Sequence, residues 1–127
     1  DRVGYFTSSA APSASTGLFS FVAPERIVDT RIGLGFGRLA AGTSTTIATG
    51  TAGSGVLQNV TVTATSSAGW LATYPAGTAT PGISTVNFTA PDQTRAVLAI
   101  TKQNAGEVAY ESLVPTHLVV DIVGTFS

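Results

Sequence analysis

The feature that most constrains the fold of this 127-residue chain is the apolar run HLVVDIVGTF at residues 117–126. It is the longest apolar run in the sequence, and it is rich in β-branched residues. A run of this length and composition predicts a β-strand that is buried on both faces. We therefore expect the rest of the chain to be organised around a sheet.

The first six residues echo the end of this run. The sequence DRVGYF at residues 1–6 aligns with DIVGTF at residues 121–126, and the two segments share Asp, Val, Gly and Phe. Because the two copies lie one domain length apart, residues 1–6 are predicted to be a strand that closes a preceding copy of the unit. Residues 7–17 are rich in Ser, Ala and Thr and predict a linker, so that residues 18–127 form a single module.

Composition and turn spacing both indicate β structure. Charged residues make up only 10% of the chain, and it holds one Lys, three Glu and no Met. Turn signals recur about every 8 to 12 residues, which predicts an all-β, antiparallel, jelly-roll-like β-sandwich of about nine or ten short strands with essentially no helix. The predicted extended segments are 18–22, 26–29, 39–49, 56–65, 70–74, 84–88, 95–101, 107–111 and 117–126.

Charge and cysteine content restrict the possible partners. The net charge of −1 provides no field to attract nucleic acid or an anionic membrane, so neither nucleic-acid binding nor membrane insertion is expected. With no Cys and a single His, a transition-metal site is not expected, and the four Asp lack the spacing of a calcium-binding loop. We predict neither a metal nor a cofactor.

The segment RIVDTRIGLG at residues 26–35 is followed by several further motifs in a fixed order. Together they resemble the roughly 120-residue repeats of secreted and surface proteins from high-GC Gram-positive and related bacteria. The chain departs from that pattern at Thr125, where the repeats usually carry Tyr, and around residues 95–97, where it lacks a usual Asn. The later motifs are NVTVT at 59–63, GWLATYP at 69–75, STVNF at 84–88 and the closing run at 117–126.

This resemblance covers residues 19–126. It implies an extracellular, non-catalytic repeat that often occurs in long proteins beside enzymes or cell-wall anchors. More loosely, it implies adhesion to surfaces or binding of glycans.

Charged residues cluster in and beside the apolar segments. A carboxylate in such a position needs a partner, and an arginine supplies a bidentate one. The set therefore predicts a structural polar network, with a ligand site or an acid–base pair as the alternatives. Its members are Arg26, Asp29, Arg31, His117 and Asp121.

Two aromatic residues indicate where a carbohydrate would bind. Trp70 and Tyr74 are four residues apart on one predicted strand, so both side chains point to the same face. Such a pair forms either a platform on which sugar rings stack or part of the hydrophobic core. Tyr110 and Glu111 form a second candidate, with Tyr110 as the stacking ring and Glu111 as the acceptor for sugar hydroxyls.

These observations predict a secreted or cell-surface module, not an enzyme, that binds polysaccharide, cell-wall glycan or a cell surface. The alternative is a structural subunit or spacer of a surface stalk, filament or virion appendage. In that case residues 1–6 would add a strand to a neighbouring copy of the module. A third hypothesis is a hydrolase that uses Asp29, Asp121 or Glu111.

Overall fold

The computed structural model describes residues 4–6, 8, 10, 12 and 16–127. These residues form eight β-strands and no helix, and so they include no helix able to span a membrane. The strands are β1 (Phe19–Asp29), β2 (Thr45–Ala48), β3 (Gly55–Thr63), β4 (Gly69–Pro75), β5 (Val86–Phe88), β6 (Arg95–Lys102), β7 (Glu107–Ser112) and β8 (His117–Phe126).

The strands form two antiparallel sheets of four strands each. The first sheet has the order β1-β8-β3-β6 and the second has the order β2-β7-β4-β5. After β1, the chain alternates between the sheets in the manner of a jelly roll, with β4 and β5 as the one hairpin within a sheet. The predicted all-β sandwich is therefore confirmed, with eight strands rather than nine or ten.

The strands differ from the prediction in two places, and the first accounts for the lower count. Residues 19–29 form one strand that continues through Pro24, because β1 lies at the edge of its sheet, where a residue without an N–H group is tolerated. Two shifts in its register with β8 accommodate the irregular segment. Residues 39–42 form only isolated bridges, from Leu39 to Thr116 and from Ala41 to Ser112, so the strand predicted over 39–49 shortens to β2.

The core lies between the two sheets and follows the alternation of the strands. On β3, Val56, Val60 and Val62 point inward and are fully buried. The central strand β8 contributes its inward-facing residues in the same way, but most residues on its other face are only half-buried. Val119, which is 5% exposed, is the exception on that face. The prediction that this strand is buried on both faces is thus wrong for most of its outer face.

Residues 17 and 127 lie side by side at one end of the sandwich. The amide of Gly17 donates to the carbonyl oxygen of Ser127, and the amide of Ser127 donates to the carbonyl oxygen of Leu18. Next to them the rings of Phe19 and Phe126 are in contact, with centroids 5.1 Å apart. We call this end of the module the linker pole.

The predicted opening strand lies only partly within the described residues. Residues 1–3 are outside them. Residues 4–6 are not part of a strand, and the side chains of Tyr5 and Phe6 are 86% and 95% exposed. Most of the predicted linker at residues 7–17 also lies outside the described residues, so its division from the module stays a prediction.

Candidate functional site

The outer face of the second sheet carries the first pair of candidate residues. Strand alternation places Trp70 and Tyr74 on this face together with Ala72, while Leu71 points into the core. Tyr74, Ala72 and Ala109 of β7 form a small buried cluster, and Trp70 packs against it. The two aromatic side chains therefore share one face of β4, in agreement with their spacing.

The two rings differ in their access to solvent. Tyr74 is only 3% exposed. Its hydroxyl group donates to Oε2 of Glu111, at 3.0 Å, and lies 2.8 Å from Oγ of Ser44. Thr80, in the loop after β4, also donates to Oε2 of Glu111. Of the two alternatives for this pair, a flat platform of two exposed rings is therefore not formed, because this loop and Ser44 enclose Tyr74.

The second candidate pair is divided between the two sides of its sheet. Tyr110 and Glu111 are neighbours on β7, and neighbouring side chains on a strand point to opposite faces. Tyr110 is fully buried between the sheets, where burial raises the pKa of its hydroxyl group above the ordinary value. The prediction that Tyr110 stacks on a sugar is wrong, since its ring has no contact with solvent. Glu111 is half-buried beside Tyr74.

Trp70 borders a depression that opens to solvent. The ring is partly exposed and forms one wall of a cavity of about 310 Å³, whose other wall is residues 81–84. A second cavity of about 230 Å³ adjoins it and shares Ile83 and Ser84 with the first. The second cavity runs along β6 from Val97 to Thr101. We call the two cavities the Trp70 depression and the β6 depression.

The Trp70 depression lies away from the linker pole. Phe126 pairs with Gly55, which in turn pairs with Lys102, so β6 ends at the linker pole. A four-residue turn leads from β6 to β7, which therefore starts near that pole and runs away from it. Leu71 pairs with Ser112, the last residue of β7. Trp70 is next to Leu71 and is thus at the opposite end of the second sheet.

The predicted polar set forms an ion-pair network around β1. Arg26 binds Asp121 of β8 through both carboxylate oxygens, with Nε to Oδ1 at 2.8 Å and Nη2 to Oδ2 at 3.2 Å. Arg31 binds Asp29 in the same bidentate manner, at 2.8 and 2.7 Å. A third contact, from Nη1 of Arg26 to Asp29, joins the two pairs.

The electrostatics of this network are those of structural ion pairs. The hydrogen bond from Arg31 is the main cause that lowers the pKa of Asp29 from 3.8 to about 2, with further contributions from the backbone of Arg31 and the charge of Arg26. A carboxylate with so low a pKa is poorly suited to act as an acid or a base near neutral pH. Through the contact between Arg26 and Asp121, the network connects β1 to the neighbouring strand β8.

His117 makes a separate contact. Its Nδ1 lies 2.8 Å from the hydroxyl group of Thr30, which accepts a hydrogen bond from the amide of Leu118. Since the hydroxyl oxygen accepts from the amide, its own proton is free to be donated to the imidazole. The contact holds the start of β8 to the turn that follows β1.

Several residues of the two depressions were not identified from the sequence. Residues 81–83 lie in a loop, and the sequence pattern did not indicate that this loop approaches Trp70. The only signal in the sequence is the Pro81-Gly82 pair followed directly by the apolar residue Ile83. Val97 and Ala99 on β6 are partly buried, and their position beside residues 83–85 depends on the packing of two different sheets.

Among the residues that the structure describes, no three His, Asp or Glu side chains are grouped so as to hold a metal ion. No family model, curated protein or solved structure matches the chain.

Proposed function

We propose that this chain is an extracellular binding module that contacts polysaccharide through the Trp70 depression. The observation that carries the proposal is the position of Trp70, whose ring is partly exposed and forms the wall of a cavity of about 310 Å³. An indole ring beside a concave, uncharged surface suits the C–H face of a sugar ring, because both surfaces are flat and weakly polar.

The positions of residues 17 and 127 favour binding over a spacer role. In a spacer that lengthens a stalk, the chain enters at one end of the module and leaves at the other. Here residues 17 and 127 are hydrogen-bonded to each other at the linker pole. In a tandem array, both linkers would therefore join the module at the linker pole, and the opposite end, where Trp70 lies, would be accessible to a ligand.

The sequence resemblance supports the extracellular part of the proposal. The repeats that this chain resembles belong to secreted and surface proteins, and they are non-catalytic. The chain is also rich in Ser and Thr and has few charges, a composition suited to contact with neutral polymers rather than with polyanions.

The test titrates the protein with a panel of soluble polysaccharides and monitors binding through the fluorescence of Trp70. Trp70 is the only tryptophan in the chain, so any change in its emission reports on this site. We expect one or more glycans to shift the emission and protect the ring from acrylamide. Trp70→Ala should weaken binding, measured by calorimetry, by about tenfold or more, or about 1.4 kcal/mol.

Phe21→Ala is the matched control, because Phe21 is an aromatic residue that is 83% exposed near the linker pole. This variant should bind as the wild type does. If no glycan in the panel binds, or if Phe21→Ala weakens binding as much as Trp70→Ala does, the proposal is wrong.

A second function, assembly by strand addition, is favoured by the exposure of Tyr5 and Phe6. Two large apolar side chains in solvent suit a segment that docks on another copy. The test compares the solution mass of the full chain with that of a chain lacking residues 1–10. Association of the full chain alone supports assembly, whereas two monomers of equal stability rule it out.

A further inference from the structure

The two depressions adjoin at Ile83 and Ser84, and their chemistry identifies a class of ligand. We infer that the polysaccharide is uncharged and extended, and that it crosses from the Trp70 depression over Ile83 into the β6 depression. This inference rests on the proposed function and adds to it the charge of the ligand and its path across the protein.

The walls of both depressions carry no titratable side chain. The Trp70 depression is lined by Trp70, Pro81, Gly82, Ile83 and Ser84. The β6 depression adds only Thr, Val, Leu, Ala and Ile residues. A carboxylate or sulfate group that loses its hydration on entering these depressions would have no cationic partner there. The cost of burying this unpaired charge would oppose binding. A neutral sugar incurs no such cost.

The same walls combine aliphatic surface with hydroxyl groups. Ile83 is 43% exposed, and Val97 and Ala99, which point from β6 toward the second sheet, are only partly buried. These side chains provide a surface for the C–H groups of sugar rings. Ser84 donates its proton to Oδ1 of Asn87, so its oxygen keeps its lone pairs available for a ligand hydroxyl group. This mixture of apolar and hydroxyl groups matches the amphipathic surface of a pyranose.

The dimensions indicate a chain rather than a single sugar. Val97 to Thr101 on β6 spans about 13 Å at the rise of a β-strand, and the Trp70 depression extends the path beyond Ile83. Such a length accommodates more than one sugar ring. Affinity should therefore increase with the number of sugar units until both depressions are filled.

The course of the path favours a glycan over an extended peptide. Trp70 is on the outer face of the second sheet, whereas β6 is the edge strand of the first sheet. A ligand that contacts both must turn over the edge of the sandwich at Ile83. A peptide that pairs with the free edge of β6 stays in the plane of that sheet, while sugar rings joined by rotatable bonds follow the turn.

The experiment measures binding affinities by calorimetry at about 0.05 and about 0.5 M salt. The ligands are a short and a long oligomer of a neutral glycan that binds the protein, and a polyuronate of similar length. We expect the neutral glycan to bind with an affinity that salt leaves unchanged, and the long oligomer to bind at least tenfold more tightly than the short one. Val97→Ala should reduce that gain and leave the binding of the short oligomer intact. Trp70→Ala should weaken both.

Val97 is only partly buried, so its shortening to Ala keeps the fold, and Arg95→Ser at the end of β6 is a matched control outside the depressions. Tighter, salt-sensitive binding of the polyuronate would overturn the inference while leaving the proposed function in place. The same holds if Val97→Ala has no effect on the long oligomer, or if extended peptides compete for the site. The absence of any glycan binding would overturn both.

Discussion

The hydroxyl group of Tyr110 on β7 donates a hydrogen bond to Oε1 of Gln58 on β3, at 2.6 Å, across the buried interior of the sandwich. The amide group of Gln58 donates in turn to Thr101 of β6, at 2.8 Å, and to Thr73 of β4, at 3.2 Å. This buried polar cluster joins the two sheets.

Removal of the Tyr110 hydroxyl group leaves Oε1 of Gln58 buried without a donor. Tyr110→Phe should therefore lower the free energy of unfolding by about 1–3 kcal/mol. Gln58→Leu should cost a similar amount, because it leaves three hydroxyl groups without that partner. Denaturant unfolding of both variants measures these losses, and Tyr5→Phe, at an exposed ring, is the control that should change nothing.

In the double variant Tyr110→Phe with Gln58→Leu, the tyrosine hydroxyl group and its acceptor are removed together. The decrease in its free energy of unfolding should be smaller than the sum of the decreases in the two single variants, because the two residues act through one hydrogen bond. Additive losses would show that the hydrogen bond contributes nothing to stability.

Gly124 lies beneath the ring of Phe19, and a Cβ atom at this position would be 2.6 Å from Cζ of that ring. Gly124→Ala should therefore destabilise the protein by about 1–3 kcal/mol, as overpacking does elsewhere. Gly37→Ala is the control, because a Cβ atom at residue 37 meets nothing within 4 Å. Both losses are measured by chemical denaturation.

A second substitution tests whether Phe19 is the cause. In a Phe19→Ala background the added methyl group of Gly124→Ala has space, so most of the additional loss should disappear. If Gly124→Ala is equally destabilising in both backgrounds, the ring is not what requires glycine at this position.

The ion pair of Asp29 makes stability depend on pH in the acid range. Its pKa is lowered from 3.8 to about 2, so the folded state binds this proton less readily than the unfolded state does. The contribution is present above pH about 4 and is lost as the pH falls through about 2. Thermal unfolding across this range should show a steeper loss for the wild type than for Asp29→Asn.

Asp92→Asn is the matched control for this titration. Asp92 lies on an exposed turn with a positive φ of 53°, a conformation that Asn also tolerates. Its variant should lose stability with falling pH as the wild type does. A profile for Asp29→Asn that parallels that of the wild type would exclude Asp29 as the source of the acid sensitivity.

Tyr74 should be important for folding rather than for ligand contact. Because the side chain is buried beneath the loop after β4, Tyr74→Ala should lower the free energy of unfolding by about 3 kcal/mol or more. Tyr74→Phe keeps the ring and should retain glycan binding within about twofold. A large loss of affinity in the folded Tyr74→Phe variant would show that the hydroxyl group contacts the ligand.

Much of the architecture can be predicted from local patterns in the sequence. The alternation of Val60 and Val62 with polar residues predicts the inward face of β3, in agreement with the structure, because side chains in a regular strand point alternately to its two faces. The apolar run at residues 117–126 predicts the strand β8, but most of the outer face of that strand is only half-buried. The continuation of β1 through Pro24 was missed, because the tolerance for proline depends on the strand being at a sheet edge.

The sequence by itself determined that Trp70 and Tyr74 share a face and that arginines are available to pair with Asp29 and Asp121. Only the tertiary structure decided that Tyr74 is covered and that Trp70 is not. The residues that make this difference, Ser44 and the loop containing Thr80, come from other parts of the chain. Parity along a strand selects a face, but the burial of that face depends on which distant segments pack against it.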